Sequence, residues 1–530
     1  MAPFHIDVDC GRTLGPLRPV WRSFGYDELN WTYTPRGKAC FGQIGDLARR
    51  APYYIRCHHT LTSGNGLSWP TMGSGNVYHE DDKGKARYDF RILDQVLETI
   101  LEAGCKPIVE LGFMPAVLSG GPDPGMTYTY GGDERWRYPP RDHSRWQELV
   151  FQTVRHCVDV YGKPEVVSWY WEVWNEPDNT LFFQGTVKDY CRVYDHAAAG
   201  AALACPEIRI GGPAIGGRAR FLDRFLKHCR SGKNAATGKR GSRLDFLSFH
   251  AKGTSWPEPG RQEQQPSLRA ILRQVDAYER VLERYPDYAR LPWLLDECDM
   301  AVATHLGVYD FPFYAFHNTA FFPVFLIRMA HALIDRMIVL NRDLVLFTTW
   351  AFYAEGKRFF EGNRTLFTGE NIRKPVFNAF ALMEMLGETR IHLKVKGGGE
   401  GGPDALPEVN GLATMSGEDA VQVLVWHFHE DQKQQAGAAV QLSIPNLPFS
   451  TQDVSVRHYR VDEKNNNTHT LWKGMGSPQN PTPEQIKSLQ QAGELKESPL
   501  PEIIPFKDHT FRCNLTMPLP GVSLIVIEKE

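Results

Sequence analysis

Ser168-Trp169-Tyr170-Trp171-Glu172-Val173-Trp174-Asn175-Glu176-Pro177 is an aromatic, largely apolar run that stops at a proline. Proline cannot donate to a ladder, so a strand ends here. A run that is apolar at almost every position is buried on both faces, the condition of a strand in a parallel sheet wrapped by helices. Working outward, comparable runs lie at Arg22 to Tyr26, Tyr53 to His59 and Pro107 to Phe113 before it, and at Ile208 to Pro213, Leu244 to His250, Trp293 to Glu297 and Leu344 to Trp350 after it. Segments with apolar residues at helical spacing separate them. The clearest is Asp89 to Ala103, with Ile92, Leu93, Val96, Leu97 and Ile100 on one face and Gly104 at its C′ position. Ser144 to Tyr161, Val187 to Leu203, Arg220 to Cys229, Ser267 to Tyr285, Phe316 to Asp335 and Lys374 to Leu386 supply further crossovers. Strands alternating with helices in this way predict an α/β fold, a closed (β/α)8 TIM barrel over residues 21–390.

After Gly397-Gly398-Gly399-Glu400-Gly401-Gly402-Pro403 the pattern changes to alternating strands at Ala420 to Phe428, Ala438 to Ile444, Val454 to Val461, His509 to Leu515 and Gly521 to Glu528. This predicts a C-terminal antiparallel β-sandwich over 391–530. Gly474 to Ser498 reads as a loop with one short helix, Pro483 to Ala492. Phe4 to Val8 alternates like a strand, and residues 1–20 are expected to pack on the β domain.

With 530 residues, 42% of them hydrophobic, the chain can bury a large core. Its 59 basic and 62 acidic residues are dispersed without a Lys/Arg block, which argues against a nucleic-acid partner. No apolar run reaches the roughly 18 residues of a membrane span, and the opening Met1-Ala2-Pro3-Phe4-His5-Ile6 lacks the basic and apolar regions of a secretory signal. A cytoplasmic protein without a membrane partner is expected. Ten scattered cysteines with no Cys-x-x-Cys spacing point to reduced, buried thiols and no structural zinc.

The chemistry is carried by two carboxylates, each at the carboxyl end of a buried strand. Glu176 ends the fourth strand, and Glu297 ends the seventh, after Pro292-Trp293-Leu294-Leu295-Asp296. In a barrel these ends form the active face. Such a pair has the parts for glycoside hydrolysis, in which one carboxyl protonates the leaving oxygen while the other, ionised, attacks the sugar. Glu176 reads as the acid/base, its carboxyl raised by desolvation among aromatic residues, and Asn175 beside it can bond a sugar 2-hydroxyl. Glu297 reads as the nucleophile, with Arg56 as the cation that keeps it ionised. Alternation groups Arg56 with His58, Ser248 with His250 and Lys252, and Leu295 with Glu297 and Asp299. Trp350 offers a flat surface for a pyranose, and Phe113 lines the same mouth.

These residues sit in segments that resemble glycoside hydrolase family 39: Tyr54-Ile55-Arg56-Cys57-His58, Leu111-Gly112-Phe113-Met114-Pro115, Trp174-Asn175-Glu176-Pro177, Gly211-Gly212-Pro213-Ala214-Ile215 and Trp472-Lys473-Gly474-Met475-Gly476. The resemblance covers nearly the whole chain. It implies a retaining double displacement with Glu176 as acid/base and Glu297 as nucleophile, sugar contacts from His58, Asn175 and His250, and neither metal nor cofactor. The family is known for β-xylosidases and α-L-iduronidases. His250-Ala251-Lys252-Gly253 and Arg364-Thr365-Leu366 are similar to the iduronidase branch, where the lysine grips a uronate carboxylate and the arginine helps bind the ring. Trp350 is similar to the xylosidase branch, although Ala351 to Glu355 and Phe360 to Leu366 lack the double glutamate typical there. The expectation is an exo-acting retaining enzyme of β-D-xylosidase type whose partner is an oligosaccharide or glycoside. The alternatives are an α-L-iduronidase-like uronidase, an α-L-arabinopyranosidase and, from a different class, a noncatalytic glycan-binding scaffold. Transglycosylation and a homo-oligomeric state stay open.

Overall fold

The computed structural model describes residues 3–64, 73–122, 134–261, 263–353, 357–397, 406–449, 454–507 and 509–530. The barrel strands are, in order, Ser23–Tyr26, Tyr54–Cys57, Lys106–Leu111, Tyr170–Val173, Arg209–Ile215, Phe246–Lys252, Trp293–Asp299 and an eighth in two parts. Leu344–Phe347 pairs with strand seven and Thr349–Trp350 with strand one, both in parallel, so the ring closes into the expected TIM barrel.

Helices Arg91–Glu102, His143–Tyr161, Val187–Ala204, Ala219–Ser231, Leu268–Leu282, Phe321–Leu340 and Pro375–Glu384 surround it. A further helix, Pro35–Leu47, fills the connection between strands one and two. Its apolar pattern is diluted by Gly37, Gly42 and Gly45, which weaken helix propensity. Gly37 is needed for packing, since a Cβ there would lie 2.2 Å from the Trp31 carbonyl oxygen. The helix is started by Thr34, whose hydroxyl accepts the Gly37 N–H at 3.0 Å, with Pro35 in the first turn.

The barrel interior is layered. Ile108, Tyr170, Phe246, Leu294 and Leu346, with Tyr54 packed against them, form an apolar plug near the amino ends of the strands. Two residues further along four of those strands, on the same face, stand Arg56, Glu110, Glu172 and Asp296, all fully buried. Strand seven then breaks register. Leu294 pairs with Ser248 and Glu297 with His250, so three steps on strand seven match two on strand six, a β-bulge. Strict alternation put Leu295 on the face of Glu297. The bulge corrects this: Leu294 joins the plug, Leu295 packs in the large outer core, and Glu297 turns into the mouth above Asp296.

The second sheet runs Val454–Val461, Gly521–Lys529, Ala420–His427, Val409–Ser416, Thr389–Lys396, Phe4–Pro16, Ala438–Ile444, Thr510–Met517 and Glu502–Lys507. It folds over a core that includes Ile6, Val8, Val423, Val425, Leu442, Leu515 and Ile525. Phe4–Pro16 pairs antiparallel with Thr389–Lys396 and parallel with Ala438–Ile444. Thr389–Lys396 straddles the expected boundary between residues 390 and 391. Helix Thr468–Gly474 lies ahead of Pro483–Gly493, and Trp472 and Leu489 from the two pack on Phe360 and Ile372 of the barrel. Phe428 of the sandwich meets Phe321 in a tilted ring contact, centroids 4.6 Å apart, and lies under Arg328. Gly398 to Pro403, Ala354 and Glu355 lie outside the described residues. Among the described residues no helix is long and apolar enough to cross a membrane, and all ten cysteines are buried and unbonded.

Candidate active site

Strand four ends in a tight left-handed kink. Trp174 has φ 72° and Glu176 φ 43°, conformations that cost a non-glycine residue about 1–3 kcal/mol each and persist only where the surroundings over-determine them. Here they do. The Trp174 N–H donates to Leu111 O and its indole N–H to Phe182 O, while the Glu176 N–H donates to Ala214 O. The Asp178 carboxylate accepts the backbone N–H groups of Gly216 and Arg218, tying this loop to the one after strand five. Gly216 leaves room for the acid, because a Cβ there would sit 2.8 Å from the Glu176 carboxyl and push it aside. The kink turns both Asn175 and Glu176 toward the barrel mouth.

Asn175 offers its Oδ1 to Arg56 Nη2 at 2.9 Å, and its buried Nδ2 has no hydrogen-bond partner among the described residues. A buried amide donor left open in this way is costly unless something else accepts it.

Glu176 and Glu297 face each other across the mouth, with carboxylate oxygens within 4.8 Å. That spacing suits a nucleophile and an acid/base, which stand about 5–5.5 Å apart, and leaves too little room for the intervening water of an inverting pair at about 6.5–9.5 Å. Their environments differ. Burial works against the charge of Glu297, but His250, Lys252, Arg56 and His58 outweigh it and hold the carboxyl well below the usual range. Lys252 Nζ donates to Glu297 Oε2 at 2.8 Å, and Arg56 Nη1 lies 3.4 Å from Oε1. Glu176 was expected to be raised by desolvation. Burial does push it up, but a 2.9 Å hydrogen bond with His250 Nδ1, aided by Asn179 at 2.7 Å, carries it below its ordinary value. The compensating rise is on His250, which overcomes its own burial through the charges of Glu297, Asp296 and Glu176 and is pushed up to about 9. The two groups therefore titrate as a pair, and the proton lost at high pH belongs to both rather than to either alone.

Beneath lies the charged layer. Arg56 Nε donates to Glu172 at 2.6 Å, and Nη2 meets Glu110 at 3.2 Å and Asp296 at 3.5 Å. Although burial opposes it, these carboxylates and Glu297 hold the guanidinium above its ordinary range. Burial, then the charge of Glu172, pushes Asp296 well up, against the pull of Arg56 and His250. Glu110 also bonds His58 Nδ1 at 2.7 Å and, against burial, raises that imidazole.

Arg56, His58, Asn175, Glu176, His250, Lys252 and Glu297 thus converge as the sequence suggested. Four expected contacts fall elsewhere. Trp350 is 2% exposed and packs so closely on Gly25 that a Cβ there would lie 1.9 Å from its ring. His58 and Arg56 also lie beside it, so it is a wall rather than an open stacking face. Phe113 is fully buried behind His58 and against Trp136 and Trp174. Arg364, 1% exposed, bonds Ala301 O and Thr304 Oγ1 and lies 3.2 Å from Asp299. Asp299 is buried in turn, accepting Lys252 Nζ at 2.6 Å and the Trp350 N–H at 2.8 Å. These two stand behind Lys252, Asp299 bonding its ammonium and Arg364 pairing with Asp299. Asp27, Glu110, Glu172, Asn179 and Asp296 were not singled out from the sequence. Glu110 and Glu172 did carry a signal, as charges inside apolar strands in matching register.

Glu176, His250 and Glu297 also form a three-donor cluster of the kind that can begin a metal site. Lys252, Arg56 and His58 already crowd Glu297 with positive charge, so this donor set does not suit a dication.

A family model described as glycosyl hydrolases family 39 matches residues 4–504. A β-xylosidase of Caldicellulosiruptor saccharolyticus is 25% identical over 515 residues, covering 93% of this chain and 92% of that protein. An α-L-iduronidase of Mus musculus is 24% identical over 565 residues, covering 99% of this chain and 81% of that protein. Among solved structures, a bacterial orthologue of human α-L-iduronidase superposes with a TM-score of 0.80 at 22% identity, covering 100% of this chain and 84% of that one.

Proposed function

The chain belongs to glycosyl hydrolases family 39, and from that premise we propose that it is a retaining exo-glycosidase of β-D-xylosidase type. The observation that carries the mechanism is the Glu176–Glu297 pair, within 4.8 Å and differently held: Glu297 is surrounded by positive groups, while Glu176 is hydrogen-bonded to His250. Glu297, ionised, attacks the anomeric carbon as Glu176 gives its proton to the leaving oxygen. The resulting glycosyl ester is then opened by water whose proton Glu176 removes. The free Asn175 Nδ2 suits the sugar 2-hydroxyl, a contact that strengthens as charge develops at the anomeric carbon. Trp350 and His58, with the buried Phe113 behind His58, wall one side of the mouth, which supports a pocket for one terminal ring.

The activity should carry the imprint of the shared proton. In kcat/KM against pH, the acid limb should follow ionisation of Glu297, below the ordinary carboxylate range. The alkaline limb should follow loss of the His250–Glu176 proton, near the value of about 9 held by His250. Removing the imidazole leaves a lone carboxyl to hold that proton, so His250→Asn should move the alkaline limb toward acid. A profile on an unactivated glycoside with that limb unmoved would refute the shared proton.

For the sugar, Lys252 is decisive. Its ammonium already lies between Glu297 and Asp299, so it needs no substrate anion to justify its burial, which favours a neutral ring. A uronidase is the second reading, favoured by the cations Lys252 and Arg364 near the pocket and by the iduronidase relative. The test compares matched aryl β-D-xylopyranoside and α-L-iduronide in wild type and Lys252→Ala. The expected result is a preference for the xyloside, with both rates lowered by a similar factor as Glu297 loses a cation. Preference for the iduronide, lost selectively in Lys252→Ala, would replace the first reading with the second.

A further inference from the structure

Asp27 directly follows strand one and stands where no role has been given to it. Its side chain is 24% exposed, close to His58, Trp350 and the field of Glu297. Among the described residues its carboxylate receives one hydrogen bond, from the Trp350 indole N–H to Oδ2 at 3.3 Å. Oδ1 meets the His58 ring at 3.8 Å, beyond hydrogen-bond distance. A carboxylate has about four acceptor sites, so most of this capacity is unspent. The charge is kept in the pocket wall, between an aromatic ring and an imidazole, rather than out in solvent.

The strand order says what it faces. Strand one lies beside strands two and eight, three places from strand four, which carries Asn175. In an eight-stranded ring that is close to the opposite side. A ring whose 2-hydroxyl is held at Asn175, with its anomeric carbon between Glu176 and Glu297, turns its 3- and 4-hydroxyls toward strand one. Two adjacent O–H donors match the two oxygens of a carboxylate. We infer that Asp27 is a sugar-recognition residue whose carboxylate accepts the vicinal 3- and 4-hydroxyls of the bound terminal ring. This rests on the exo-glycosidase reading above. His58 Nε2, between Asp27 and Glu297 at 3.8 and 3.7 Å, sets the spacing of the two carboxylates across the ring.

The competing role is mechanical, Asp27 merely bracing Trp350. Asp27→Asn separates the two, because the amide oxygen can still accept the indole N–H while the anionic acceptor is gone. The measurement is kcat and KM for wild type and Asp27→Asn on the aryl β-D-xylopyranoside and its 3-deoxy and 4-deoxy analogues, a cycle that isolates the contact. On the parent glycoside, kcat/KM should fall about 10- to 100-fold, the range of a charge-assisted hydrogen bond. On each deoxy analogue the same substitution should cost several-fold less, with the melting temperature unchanged. An equal loss on all three substrates would overturn the inference and leave the bracing role. Wild-type enzyme inert on every terminal glycoside, the α-L-iduronide included, would instead overturn the exo-glycosidase reading and this inference with it.

Discussion

Glu297→Ala should lose on the order of 10⁵-fold in kcat, even on a dinitrophenyl glycoside whose leaving group needs no proton, in line with other enzymes deprived of a covalent nucleophile. The size follows from the position. Glu297 lies under four positive groups that keep it ionised, and among the described residues no other carboxylate occupies its place at the mouth: Asp296, one residue earlier, faces the layer below, and burial pushes its carboxyl up. The alanine variant should melt below the wild type, since the substitution leaves the buried cations Lys252 and Arg56 without one of their carboxylates. Azide, small enough to enter the vacated space, should restore part of the rate and release a glycosyl azide of inverted configuration. A 2-deoxy-2-fluoro glycoside should leave a stoichiometric ester on the wild type, with the modified peptide containing Glu297. An adduct on Glu176, or a loss under about tenfold, would exchange or abolish the assignment.

Glu176→Ala should show the opposite dependence on the leaving group. With an alkyl or sugar aglycone, kcat/KM should fall about 10³- to 10⁴-fold, the usual worth of a positioned acid. With dinitrophenolate it should fall less than about tenfold, because that anion departs unprotonated. Turnover on the activated substrate should still be slow, as the same residue deprotonates the water in the second step. Azide should accelerate it and give a product of retained configuration, the mirror of the result at Glu297. Equal losses across leaving groups would remove Glu176 from acid catalysis.

Much of this architecture is legible without coordinates because barrel strands are sandwiched between plug and helices, and so read as runs such as Trp169 to Trp174. Legibility fails where a local pattern is set by distant partners. Helix Pro35–Leu47 hides because three glycines dilute its pattern, one of which, Gly37, serves a close approach to the Trp31–Thr32 backbone. Strands Val409–Ser416 and Thr389–Lys396 hide because Asn410 and Gly411 interrupt the first and because Leu393 and Val395 of the second are only half-buried beside exposed lysines. In the site, Glu176 and Glu297 stand out at strand ends. The orientation of Glu297 does not, because it follows from a bulge that only pairing with Ser248 and His250 reveals. Trp350 reads as a sugar platform from its chemistry, but the closeness of Gly25, more than 300 positions away in sequence, makes it a wall. The His250–Glu176 bond reverses the shift that burial alone predicts for Glu176, and nothing in either segment announces the other.

The layer of Arg56, Glu110, Glu172 and Asp296 draws its members from strands two, three, four and seven. A fragment ending after strand four would keep the guanidinium with two of its carboxylates. The complementary fragment would carry Asp296 and Glu297 with that cation missing, and breaking a buried pair of this kind costs about 3–5 kcal/mol. Neither half is electrically complete. Modular descent or design by recombining half-barrels therefore meets a barrier in this molecule that loop geometry does not disclose: the smallest interchangeable unit is the whole ring.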